Sequence, residues 1–120
     1  MANTNSKAVE ITFGEHVGKM AATFPAVAAI EQATGVALIT LAQQLVAGTL
    51  PIRTHALMVA ELLRAGGEES VTIDGVGKHL IAAGARSDAV IAPLGDVLRL
   101  ALLGDDALEG DQQRGRSEGK

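Results

Sequence analysis

Cysteine, tryptophan and tyrosine are absent from this chain, and phenylalanine occurs only twice, as Phe13 and Phe24. Without cysteine there is no disulfide framework, no thiolate metal site and no cysteine nucleophile, which suits a reducing cytosol. Without tyrosine or tryptophan the chain lacks the usual anchors of binding interfaces and the usual platforms for stacked bases. Apolar residues still make up 48% of the sequence, so the core has to come from Leu, Ile, Val and many alanines. Small side chains let helices approach closely, and the composition predicts helix-on-helix packing.

A basic stripe is missing as well. Net charge is −4 and no stretch concentrates Lys and Arg, whereas a domain that holds phosphate backbones needs clustered cations to displace counterions. No nucleic-acid partner is expected. The opening segment MANTNSKAVE has no apolar core of the kind a signal peptide carries. Apolar runs stay short of the roughly 18–20 residues that span a bilayer. No membrane association is expected, and the reading is of a soluble cytoplasmic protein. The 120 residues fit one domain, and no internal repeat divides them.

What is present punctuates itself. Residues 1–7 read as a flexible N-terminus, residues 8–104 as a single domain, and residues 105–120 as a disordered polar tail, DDALEGDQQRGRSEGK, too poor in apolar groups to repay its ordering entropy. Ala8–Phe13 alternates as a strand, with Val9, Ile11 and Phe13 on one side and Glu10 and Thr12 on the other. Gly14–Glu15 offers a two-residue turn, and a second strand over about His16–Thr23 completes a hairpin. Five short helices follow. The first begins around Pro25 and stops at Gly35; the second is Val36–Ala47, with Leu38, Leu41, Ala42 and Leu45 on one face, stopped by Gly48. The third covers 52–65, with Leu57, Met58, Leu62 and Ala65 inward. The fourth is Ile73–Ala83, capped by Thr72 or Ser70, and the fifth runs from a Ser87 cap to Leu103. The fold class is therefore mainly α (α+β): an N-terminal two-stranded hairpin and a compact helical bundle.

The fifth helix carries Val90, Leu94, Val97, Leu98 and Ala101 at the spacing of a core face. Leu100 and Leu103 fall outside that arc, on the otherwise polar side, and form a candidate contact surface. Pro93 lies within the helix and predicts a kink or a two-part helix.

A search for chemistry returns little. Gly14–Glu–His–Val–Gly18–Lys19–Met20 resembles a phosphate loop only briefly: its glycines are one residue too close, and Met20 stands where Ser or Thr would hold magnesium. Gly75–Val–Gly77–Lys78 falls at a helix start. His16, His55 and His79 come from three different elements with no i, i+4 pair among them, and they read as surface histidines, not as metal ligands. The acidic pairs Glu68–Glu69 and Asp105–Asp106 flank glycines and read as solvated turns, not as a desolvated acid/base pair. Glu31 and Glu61 read as ordinary polar-face residues. No Ser/His/acid arrangement suggests an activated nucleophile. Neither an enzymatic activity nor a cofactor nor a bound metal is expected; catalytic, metal and cofactor-binding residues are all assigned as none.

The order of signals carries more information than any single motif. Val9–Glu–Ile–Thr–Phe13 precedes a polar second strand. Then come Phe24–Pro–Ala–Val–Ala–Ala–Ile–Glu31–Gln–Ala–Thr–Gly35, the leucines Leu38, Leu41 and Leu45 before Gly48, Leu57–Met58 and Leu62–Leu63 before Gly66–Gly67, Thr72…Val76…Ile81…Gly84, and an Ala/Leu-rich helix ending Leu102–Leu103–Gly104. Over about residues 8–104 this resembles the tail assembly chaperone family of siphophages and gene transfer agents, a group once described as tail-tube-like. The resemblance implies a non-enzymatic chaperone that binds the tape measure protein, helps recruit tail tube subunits and is not retained in the mature particle. It also implies that a longer, frameshifted form is common in the family. On that implication Leu94, Leu98, Leu100 and Leu103, together with the hairpin, are the expected partner or self contacts, and homo-oligomers are compatible with it. The methionines Met20 and Met58 and the surplus leucines supply adaptable apolar surface for such a helix partner.

Two other readings stay open at this stage. A structural tail tube or tail completion protein of the same particles would remain in the virion, but tube rings stack through shared sheets and this chain offers only two strand signals. A small helix-turn-helix regulator would need Arg, Lys, Gln or Asn along a recognition helix, and the fourth helix has only Lys78 and His79.

Overall fold

A computed structural model describes residues 8–13 and 16–104, without the side chains of Phe13 and His16. The expected flexible N-terminus (1–7), the Gly14–Glu15 turn, the Asp105–Asp106 pair and the expected polar tail (105–120) lie outside the described residues. Within them the chain forms strands β1 (Ala8–Phe13) and β2 (His16–Ala21), then helices α1 (Phe24–Thr34), α2 (Leu38–Ala47), α3 (Ile52–Ala65), α4 (Ile73–Ala83) and α5 (Asp88–Leu103). The hairpin-plus-five-helix architecture is the one the sequence predicts.

The two strands pair antiparallel, with Val9 opposite Met20, Glu10 opposite Lys19 and Ile11 opposite Gly18. Period-2 alternation turns Ile11, Gly18 and Met20 inward and leaves Glu10, Thr12, Val17 and Lys19 outward. A two-stranded sheet is marginal alone; here β2 lies on α3 and β1 lies on α5. β2 ends at Ala21, before Thr23, because Thr23 is taken as the N-cap of α1: its Oγ1 accepts from the Ala26 N–H at 3.3 Å.

α2 starts at Leu38, two residues later than expected, and the reason lies in the preceding helix. The Leu38 N–H donates to Glu31 Oε2 at 2.8 Å. The Thr34 hydroxyl donates to the Ile30 carbonyl at 2.8 Å and accepts from the Val36 N–H at 3.2 Å. Ala37 occupies the N-cap position without a side chain able to cap it, so the Glu31 carboxylate serves there, where the helix dipole also favours an anion. Glu31 is thus a connector between α1 and α2, not an idle polar-face residue. Each of these helices closes on a left-handed glycine, Gly35 at φ 70° and Gly48 at φ 78°, a conformation costly for any side chain.

α3 is the hub. His55, Ala56, Met58, Val59, Ala60, Leu62 and Leu63 are all buried, which leaves it apolar around most of its circumference. It meets β2, α1 and α4. Leu57 is half-buried, and Ala65, expected inward, is exposed at the last helical position, where the chain turns away at Gly66. Arg64 ties down that turn: Nε donates to the Val71 carbonyl at 3.2 Å, and Nη1 pairs with Glu61 Oε2 at 3.2 Å. α4 starts on Thr72, whose Oγ1 accepts from the Gly75 N–H at 3.0 Å. α5 runs as one helix through Pro93. The carbonyl of Ala89, which loses its usual donor to the proline, belongs to an exposed residue.

Candidate functional site

The four leucines expected to meet a partner separate into two groups. Leu94, Leu98 and Leu100 are 0%, 2% and 4% exposed, whereas Leu103 is 68% exposed. Leu94 and Leu98 belong to the hydrophobic core. Leu100 is a correction to the helical-wheel reading: α5 packs against α2 and also against β1, so its covered arc is wider than one neighbour would make it. An aspartate at position 100 would therefore bury a charge and break the fold, and of these four only Leu103 presents its side chain to a partner.

His55 is a second correction. It is 3% exposed, not a surface residue. Burial lowers its pKa below the ordinary 6.5, against a hydrogen bond to the Val90 backbone that acts in the opposite direction. Among the described residues its Nε2 has no hydrogen-bond partner, and the residue lines a cavity of about 220 Å³ together with Leu45, Ile52 and Arg86. Among the described residues no hydroxyl is bonded to the imidazole for it to activate. His79 is half-buried on α4, and the His16 side chain lies outside the described residues. Among the described residues no three of His, Asp and Glu gather closely enough to hold a metal ion. The Gly18–Lys19–Met20 part of the phosphate-loop-like stretch is strand, and Gly75–Gly77–Lys78 is helix.

The sequence reading missed an open apolar groove between α3 and α4. About 470 Å³ in volume, it has Ile52, Arg53 and Ala56 on one wall and Ile73, Asp74, Gly77, Lys78 and Ile81 on the other. Ile81 is 67% exposed and Ile52 39%. The signal for it was present: Ile73, Gly77 and Ile81 recur at i, i+4 and i+8, one stripe of a helix whose buried side is carried by Val76 and Leu80. A smaller groove of about 250 Å³ is lined by both α2 and α5 and includes Val46, Ile91, Gly95 and Leu102. Phe24 and Val46 are also exposed. Apolar surface thus sits outside the core at several places, on helices and not on the hairpin alone.

No single described helix is long and apolar enough to cross a membrane; α1 and α2 meet the length and composition test only together, bent by 74°. No curated protein and no solved structure gives a significant match to the chain. A family model described as "Phage tail tube protein, GTA-gp10" matches residues 6–104. That span takes in every described strand and helix, and the chain belongs to this family of phage and gene transfer agent tail proteins.

Proposed function

We propose that the protein serves the tail of a phage-like particle by contact with other tail proteins or with copies of itself, in the bacterial cytoplasm where tails are built, and without catalysis. The observation that carries this reading is the family match over residues 6–104. Apolar grooves and exposed aliphatic side chains on a helical scaffold give it a physical basis.

Two finer roles follow, each with its own support. The family description names a tail tube protein and so favours a structural tube or tail completion component over an assembly chaperone. The chaperone role, with the tape measure protein and tube subunits as its partners, draws support from the fold: a two-stranded sheet leaves little strand for a ring of tube subunits to share. Quantitative mass spectrometry of purified particles separates them. A structural component should be recovered in fixed proportion to the other tail proteins; a chaperone should be abundant in the producing cells and missing from the particles. Absence from both particles and their assembly intermediates would overturn the tail reading altogether.

A further inference from the structure

We infer that the groove between α3 and α4 is a docking site for an amphipathic helix of another protein, one whose apolar stripe is edged by carboxylates. The inference rests on the reading of this chain as a protein-binding component and adds the surface and the chemistry of what it takes.

The floor and walls select for a helix. Ile52 and Ala56 lie one turn apart on α3, and Ile73, Gly77 and Ile81 lie one turn apart on α4, so the lining repeats at the spacing of apolar side chains along a partner helix. Gly77 keeps the floor low. A Cβ there would find only the Ala56 methyl, at 3.8 Å, so neither its backbone angles nor crowding requires glycine. In a helix interior glycine is unfavourable relative to alanine. Its presence leaves a depression between two isoleucines.

Charge selects which helix. Each wall contributes one cation beside the apolar stripe, Arg53 from α3 and Lys78 from α4. Neither makes an ion pair or hydrogen bond among the described residues. Asp74 is the one acid on the lining, so cations outnumber it two to one on a chain whose net charge is −4. Carboxylates along the edges of the incoming helix meet both cations; ammonium groups there meet like charge. Opposite charge at the rim acts mainly on association rate and partner choice, while the isoleucines supply the apolar area.

The test uses the full-length protein and two labelled synthetic helices with the same leucine stripe, one edged with Glu and the other with Lys, followed by fluorescence anisotropy. The Glu-edged helix should bind at least tenfold more tightly, and the difference should shrink as salt is raised. Filling the floor with Gly77→Leu should weaken binding at least tenfold. The double substitution Arg53→Glu, Lys78→Glu, both at exposed positions, should reverse the preference between the two helices with the circular dichroism spectrum unchanged. Equal binding of both helices, or a preference unmoved by the double substitution, would overturn the docking site. That outcome would leave the tail reading to be decided by particle composition.

Discussion

Two of the seams that helix α3 makes with its neighbours are lined by glycine, and the glycines do opposite things. Against the hairpin the seam is closed. A Cβ on Gly66 would land on the Lys19 carbonyl oxygen, and a Cβ on Gly18 would stand 2.9 Å from Leu63 Cδ2. Backbone there rests on backbone and side chain with no space for a methyl group. Against α4 the seam is open: Gly77 has ordinary van der Waals room for a Cβ and forms the floor of an unfilled groove. Glycine at the first seam is a packing requirement. At the second it sacrifices helix stability and leaves a cavity, which is what a surface kept for a partner looks like.

The sharpest way to break the contrast is Gly66→Ala. The obstructing atom is a carbonyl oxygen of β2, which cannot swing aside as a side-chain tip can, so hairpin and helix must separate. Overpacking of this kind costs about 1–3 kcal/mol, and Gly66→Ala belongs at the upper end of that range. Urea denaturation should show a lower midpoint with little change in slope. Gly18→Ala tests the same seam more gently. Its obstacle is one methyl of Leu63, free to rotate at some cost in packing, and a loss of about 1 kcal/mol is expected. Equal losses at the two positions would mean that the hairpin is held less firmly than its closeness implies.

Much of the architecture was legible because local rules and tertiary packing agree. Alternation in Ala8–Phe13, the Thr72 cap and the glycine stops at Gly35, Gly48, Gly84 and Gly104 all fall where the elements begin or end. What escaped was decided by how one element is placed against another. Glu31 looks like any exposed acid until α2 is placed with its N-terminus beneath it. Leu100 is buried on a helix that packs against both α2 and a strand from the other end of the sequence. The groove residues were visible as a stripe on α4, but only the absence of a packed neighbour makes a stripe into a surface.

His55 tests α3 on the side facing α5, where Val90 receives its hydrogen bond. The imidazole is held neutral by burial, with its pKa below 6.5, so the unfolded chain binds its proton at a higher pH than the folded one. Stability should be at its full value above about 6.5, the ordinary histidine pKa. It should fall as the pH drops below that value and level off once the folded pKa is passed. His55→Gln, compared with the parent chain across that window, should flatten the slope. A slope unchanged by the substitution would assign the acid sensitivity to other groups.

Gly77→Ala gives the smallest change and the most discriminating one, because stability and binding should move in opposite directions. Its Cβ meets one methyl at contact distance and no backbone. The substitution removes the entropic penalty of a mid-helix glycine, so the folded state should gain about 0.5–1 kcal/mol. The same methyl raises the groove floor between Ile73 and Ile81 and should weaken the carboxylate-edged helix, by less than leucine does. A gain in stability with undiminished binding would leave Gly77 as a residue the fold merely tolerates. A loss of stability would mean that α3 and α4 are packed more closely at Gly77 than the 3.8 Å approach to the Ala56 methyl implies. Only a gain paired with weaker binding matches an open seam kept low for a partner.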